Sequence, residues 1–503
     1  MITRVITGPV LITGLALSLV GCGTPAISDT AADSREFDPA YSTFYDQEIE
    51  WAECNDGLSC GTITVPTDWS VPGGDTITVS LIRHSAPEGS AHGSLFVNPG
   101  GPGQSGIALI RDDFSSAVTG RLAASFDIIG FDPRGVGEST PVKCLGDDSE
   151  MDAFLYGITP GVRGSSEWID AKKATAQNFV DGCQRYTGAL LQHIDTLSVA
   201  KDLDVMRAAD GDTKLNYLGY SYGTFIGEVY AQEFPNNVGH MVLDGAVNPA
   251  EEGTETADTA AGFELALREW ISWCTLDSVC PFEGAMADIE SQVSGILAEL
   301  DKSPQEASDG RFVGADTLVV AITAGLYSPD TWRDVSDLFV DYFDGSVDSA
   351  LALADWWNER YDDGSYASNQ TESFLSIGCA DSAPTEESTW VAAAQELEGV
   401  APVLGRYFAY GDIICSLWPY PAVFAIAGMT ATGPAPIVVI GTTGDPSTPI
   451  EWSQGVVQHL TEGRLITYSG DGHTAYNKGH VCVDTLVDDY FTDEATLPAN
   501  STC

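Results

Sequence analysis

The stretch Leu215-Asn216-Tyr217-Leu218-Gly219-Tyr220-Ser221-Tyr222-Gly223-Thr224, continuing to Glu233, decides how this chain is read. Leu215 to Tyr220 is an apolar run of strand length. Thr224 to Glu233 has helical spacing, with Phe225 and Val229 on one face. Between them lies Gly219-Tyr220-Ser221-Tyr222-Gly223. A serine lifted out of so sharp a strand-to-helix turn needs glycines on both sides, because side chains there would collide. The five residues alone also fit a tight turn with a structural serine. Between a strand and a helix they point to a nucleophile.

Other apolar runs read as buried strands: Ile77 to Ile82, Ser94 to Asn98, Phe126 to Asp132, His240 to Asp244, Pro436 to Gly441, and Arg464 to Tyr468. Helical patterns such as Ser198-Leu203-Met206 separate most of them. This alternation predicts an α/β protein with a mainly parallel sheet and helices on both faces. The alternation stops after Asp244 and resumes at Pro436. The stretch between is rich in Trp and in helical patterns (Leu265 to Cys274, Met286 to Leu300, Leu351 to Trp357) and reads as an inserted cap. No repeat or low-complexity domain interrupts the chain. The expected organisation is a leader at 1–22, a tether at 23–49, a core in two parts at 50–249 and 433–503, and a cap at 250–432.

A serine hydroxyl is a poor nucleophile until a base takes its proton. For a serine on such a turn the partners follow in the order Ser, acid, His. Of seven histidines, His84, His92 and His193 precede Ser221; His240 lies in a strand and His459 on a helical segment. His473, in Gly470-Asp471-Gly472-His473-Thr474, sits in a loop after the last expected strand, where it can reach back. His480 reads as structural. The acid belongs at the tip of the preceding strand, which is Asp445 in Gly444-Asp445-Pro446. An Asx turn before Pro446 is the other use for that residue. Oxyanion stabilisation needs two fixed N–H donors. Tyr222, next to the nucleophile, supplies one. The other is expected from Asn98-Pro99-Gly100-Gly101-Pro102-Gly103-Gln104-Ser105-Gly106, after the third strand. Pro102 has no N–H, so Gly101 is the candidate. A phosphate-cradling loop is excluded because no Gly-Lys-Ser/Thr follows.

The chain has 503 residues, with 73 acidic against 22 basic and a net charge of −51. Such a polyanion cannot hold nucleic acid through phosphate contacts and is repelled by anionic lipid. It suits solubility in salt, or weak steering of cationic substrates. Arg4 is the only charged residue before Asp29. Val10 to Val20 is too short and Gly-rich for a membrane span and reads as a signal-peptide core. It ends Leu19-Val20-Gly21-Cys22, which resembles a bacterial lipobox with Cys22 as the acylated residue; an ordinary secretory signal is the alternative. Gly23 to Arg35 is small and polar, like a tether, and acyl chains would hold the protein to a membrane without spanning it. Eleven cysteines less Cys22 leave ten, an even number suited to an oxidising compartment. Cys54/Cys60, Cys274/Cys280 and Cys482/Cys503 close short loops, and Cys144/Cys183 and Cys379/Cys415 complete a set of five, with connectivity left open. No Cys pair has CxxC spacing, which disfavours a metal site.

In Asn98-Pro99-Gly100-Gly101-Pro102-Gly103, Phe131-Asp132-Pro133-Arg134-Gly135-Val136-Gly137-Glu138-Ser139, the serine turn, Gly444-Asp445-Pro446-Ser447-Thr448-Pro449 and Gly472-His473, the chain resembles the secreted actinobacterial tripeptidyl aminopeptidases, a branch of the proline iminopeptidase-like α/β-hydrolases. The resemblance covers about residues 50 to 503. Proline iminopeptidases usually have His-Gly-Gly-Pro-Gly where this chain has the tripeptidyl form at Asn98. The resemblance implies an α/β-hydrolase fold with a large, mostly helical cap after the sixth strand, and a triad of Ser221, Asp445 and His473. It also implies release of short peptides, tripeptides above all, from free N-termini of peptides or proteins through an acyl-enzyme, with no metal and no cofactor. A free α-amine calls for a carboxylate. Glu251 and Glu252, where the cap begins, are the candidates, and solvated surface is their other reading. Trp270, Trp273, Trp356, Trp357 and Trp418 line substrate subsites or form cap core. Two rival functions are an esterase or lipase on the same fold and a lipid-anchored, non-catalytic binding protein. The intact set Ser221, Asp445 and His473 argues against the second.

Overall fold

The apolar runs of the sequence form the middle of one ten-stranded sheet. In chain order the strands are β1 (Ala52–Asn55), β2 (Leu58–Pro66), β3 (Thr76–His84), β4 (Ser94–Asn98), β5 (Asp127–Phe131), β6 (Leu215–Tyr220) and β7 (Val238–Asp244). After the long insertion come β10 (Ile437–Gly444), β11 (Gly463–Asp471) and β12 (Asn500–Thr502), while β8 (Gln305–Glu306) and β9 (Phe312–Val313) pair with each other inside the insertion. The computed structural model describes residues 39–55, 57–248, 255–278, 280–423, 431, 433, 435–492 and 497–503. Cys22, Glu251 and Glu252 lie outside the described residues.

The spatial order is β1-β2-β3-β5-β4-β6-β7-β10-β11-β12. Pairings from β5 to β12 are parallel, and β1, β2 and β3 run antiparallel to their neighbours. Every residue of β4 is buried, its apolar centre Leu95-Phe96-Val97 as well as Ser94 and Asn98, as expected of a central strand covered on both faces. In β2, by contrast, Ile63 and Val65 are buried while Thr62 and Thr64 are exposed. Helices Thr196–Ala209 and Tyr222–Glu233 pack on the sheet, and Leu95, Val97, Leu218, Val242, Val438 and Ile440 sit in its core. The expected parallel sheet with helical cover is thus present. Two counts rise by one. The Gly-rich loop follows the fourth strand and the insertion follows the seventh, and the edge strands Ala52–Asn55 and Leu58–Pro66 both lie outside the expected apolar runs. A further short strand, β12, lies beyond the strand that was expected to be last.

From Glu255–Cys274 to Ile413–Ser416 the insertion is helical apart from the β8–β9 pair. Its own core is built on Trp270, Leu297, Ile322, Phe339 and their neighbours. Residues 40–503 nonetheless pack as one unit. Five disulfides are formed: Cys54–Cys60, Cys144–Cys183, Cys274–Cys280, Cys379–Cys415 and Cys482–Cys503. Among the described residues no helix is long and apolar enough to cross a membrane.

Candidate active site

Strand β6 stops at Tyr220, and Ser221 turns the chain with φ 55° and ψ −126° into helix Tyr222–Glu233. A Cβ on Gly219 would lie 2.4 Å from the Gly223 carbonyl oxygen, and one on Gly223 would lie 2.7 Å from the carbonyl oxygen of Asn98. Backbone passes so close on both sides that only glycine fits. The turn is pinned from neighbouring elements. The Ser221 N–H donates to the Asp244 carbonyl at 2.9 Å, and the Thr224 hydroxyl donates to the Ser221 carbonyl at 2.6 Å.

Asp445 follows β10 and is buried. Its Oδ1 accepts the N–H groups of Ser447 (2.9 Å) and Thr448 (2.8 Å). Its Oδ2 accepts the Thr448 hydroxyl (3.0 Å) and the Thr474 N–H (3.2 Å). These four donors fix the carboxylate plane. His473 Nδ1 lies 2.9 Å from both carboxylate oxygens. An ionised carboxylate only accepts, so Nδ1 carries the hydrogen and Nε2 is left with its lone pair. That Nε2 is buried and has no hydrogen-bond partner among the described residues. The loop is held by the His473 N–H donating to the Tyr327 carbonyl (2.8 Å) and by Lys478 Nζ donating to the His473 carbonyl (2.6 Å).

Serine and imidazole adjoin the same peptide, Asp244-Gly245. The Asp244 carbonyl holds Ser221, and a Cβ on Gly245 would lie 3.2 Å from His473 Cε1. The Asp244 carboxylate faces the other way and accepts the N–H groups of Ala475 and Tyr476. Burial pushes its pKa up to about 6, against the pull of those two donors.

The Gly-rich loop lies directly on the serine turn. A Cβ on Gly100 (φ +95°) would be 2.4 Å from the Tyr220 carbonyl oxygen and 3.0 Å from Tyr222 N. The Gly100 N–H is taken by Asn98 Oδ1 at 3.0 Å. Among the described residues no acceptor meets the N–H of Gly101 or of Tyr222, the two donors expected for an oxyanion. Tyr222 opens the helix, where unpaired N–H groups and the helix dipole favour negative charge.

The insertion supplies contacts that sequence reasoning missed. Tyr327 comes from the end of helix Ala315–Leu326. Its ring meets the His473 ring edge-on at 5.4 Å, and its hydroxyl donates to Ser447 Oγ at 3.2 Å. Helix Gln370–Asp381 seats on the Gly-rich loop, where a Cβ on Gly103 would lie 2.8 Å from the Gln370 carbonyl oxygen. Its last residue, Asp381, accepts the N–H (2.8 Å) and hydroxyl (2.6 Å) of Thr196, which in turn is hydrogen-bonded to the Tyr222 hydroxyl. Burial pushes the Asp381 carboxyl up to about 7. Thr448 had a signal in sequence, a hydroxyl three residues past the acid. Tyr327 and Asp381 had none. The remaining histidines have other surroundings: His84 stacks on Phe114, and His480 stacks on Tyr468.

Residues 401–503 match the model of a family described as TAP-like protein. The chain is 34% identical to serine protease Hip1 of Mycobacterium tuberculosis, over 97% of this chain and 96% of that protein. The chain belongs to the TAP-like family of serine hydrolases. Within this family it is also 33% identical to carboxylesterase B of M. tuberculosis, covering 88% of this chain and 85% of that one. It is 30% identical to the tripeptidyl aminopeptidase of Streptomyces lividans, over 90% of this chain and 86% of its relative. The TAP-like chain in hand is therefore a serine hydrolase, and its α/β sheet carries the serine turn at the carboxyl end of a central parallel strand.

Proposed function

We propose that this protein is an exported serine exopeptidase that releases short peptides, tripeptides above all, from free N-termini. The observation that carries the proposal is the Asp445–His473 pair at 2.9 Å, with an unpartnered Nε2, beside the peptide that holds Ser221. In this reading Nε2 takes the Ser221 Oγ proton as Oγ attacks the scissile carbonyl. Asp445 keeps the tautomer and stabilises the imidazolium. The N–H groups of Gly101 and Tyr222 receive the oxyanion. Collapse breaks the C–N bond, and His473 returns the proton to the leaving amine. Water, deprotonated by the same imidazole, then cleaves the acyl-enzyme. Glu251 or Glu252, at the start of a cap spanning 250–432, pairs with the substrate ammonium. The core parts are 50–249 and 433–503.

Five disulfides support life in an oxidising compartment. Residues 1–22 serve as the export signal and Cys22 as the lipid-bearing residue, with 23–49 as tether; loss of labelled palmitate from Cys22→Ala in the producing cell tests this. For activity, kcat/KM is compared on an N-terminally free tripeptide anilide, its N-acetyl form and a short-chain ester. The proposal expects the free peptide to win by orders of magnitude. Equal cleavage of the acetylated peptide overturns it. An ester preferred over both peptides would favour the carboxylesterase reading that one relative's name carries.

A further inference from the structure

We infer that Tyr327, Trp357 and Trp356 form an aromatic wall that receives the first side chain of the leaving group, so that bonds followed by a large apolar or aromatic residue are cut fastest. The inference rests on the serine-peptidase reading above and adds a specificity to it. Three rings run outward from the candidate base. The Tyr327 ring centroid is 5.4 Å from that of His473, Trp357 is 4.7 Å from Tyr327, and Trp356 is 6.4 Å from Trp357. Trp357 is half-buried against the core of the insertion. Trp356 is 59% exposed, in contrast to Trp270 at 0% and Trp418 at 9%. Leu351, Leu353 and Ala354 of the same helix, Asp348–Trp357, already anchor it to the insertion core. Trp356 therefore contributes little to folding, and an exposed indole gains nothing from burial until something covers it.

The position of the row decides what covers it. The imidazole must hand a proton to the departing nitrogen, so that nitrogen comes within hydrogen-bond reach of Nε2 in the transition state. The side chain one bond further lies on the imidazole side of the cleft, within the ~4.5–7 Å over which aromatic rings interact. The Gly-rich loop touches Ser221 at Gly100, and helix Gln370–Asp381 touches that loop at Gly103.

The test is a series of Ala-Ala-Ala-Xaa amides with free N-termini and Xaa as Phe, Leu or Gly. The expected result is kcat/KM at least tenfold higher for Phe than for Gly. In Trp356→Ala and in Trp357→Ala that ratio falls threefold or more, and Trp356→Phe recovers part of it. The deacylation rate, read in single turnovers, is the same for every Xaa, because the leaving group has gone. A wild-type ratio within twofold, or a ratio untouched by both alanine variants, overturns the wall. If Ser221 labels with a fluorophosphonate but no peptide is cut, the exopeptidase reading fails instead. Benzyl and methyl esters of one acyl group then carry the same test. A benzyl-to-methyl ratio lowered by Trp356→Ala supports the wall, and an unchanged ratio overturns it.

Discussion

At Ser221 the backbone is held at φ 55°, where a residue with a side chain sits at a cost of about 1–3 kcal/mol. Ser221→Ala should abolish turnover and fluorophosphonate labelling while leaving the thermal midpoint within a few degrees; retained activity would sink the assignment. Ser221→Gly relieves the same strain, so it should be inactive yet more stable by about 1 kcal/mol in urea titration. Asp445→Asn should lower kcat about 10⁴-fold, by analogy with other Ser-His-Asp sites in which an amide stabilises the wrong imidazole tautomer. Ser221, Asp445 and His473, the proposed triad, stand out in the sequence because each sits just past a strand end within a short, glycine-marked motif. Tyr327 and Asp381 were not. Each reaches the site from a different helix of the insertion, and nothing local distinguishes Tyr327 from other insertion aromatics or Asp381 from other acids.

Helices and strands differ in how plainly they announced themselves. β4 and β6 carry apolar centres, Leu95-Phe96-Val97 and Tyr217-Leu218, that mark them plainly in sequence. β2 alternates Thr62-Ile63-Thr64-Val65 near the sheet edge, a period-two signal that a search for apolar runs passes over. β12 is three residues long and is fixed by pairing to β11 and by Cys482–Cys503, neither of which is local. Helix Gln370–Asp381 ends on a buried carboxyl with a pKa of about 7, against about 4 in an unfolded chain. Between those values the native state binds the extra proton, so this group's contribution to stability is lost as pH rises from about 4 to about 7. Urea titrations of wild type and Asp381→Asn should show the variant gaining on wild type over that range, by up to about 3 kcal/mol; parallel pH curves would contradict this. The Cys379–Cys415 bridge spans 36 residues and Cys274–Cys280 spans 6. Replacing the first pair by serine should cost about 4 kcal/mol and the second about 2, by loop-closure entropy. Equal losses in matched unfolding experiments would show that chain entropy is not what these bridges control.

The whole chain carries a net charge of −51, so its surface carboxylates repel one another in the folded state. Raising NaCl from about 0.05 to 0.5 M shortens the screening length severalfold and should raise the thermal midpoint. A fall would mean that ion pairs outweigh repulsion. Arg134 and Asp202, paired at 2.6 Å and almost wholly buried, are beyond the reach of that screening. The site lies where the insertion meets the sheet: His473 Nε2 is buried, the Tyr327 ring meets the His473 ring, and helix Gln370–Asp381 rests on the Gly-rich loop. The exopeptidase proposed above would sort substrates by connectivity before it sorts them by side chain. A free N-terminus brings an ammonium that a carboxylate can pair with, whereas a loop on a folded protein brings none. A peptide joined head to tail, carrying every residue of a good linear substrate, should therefore pass by uncut.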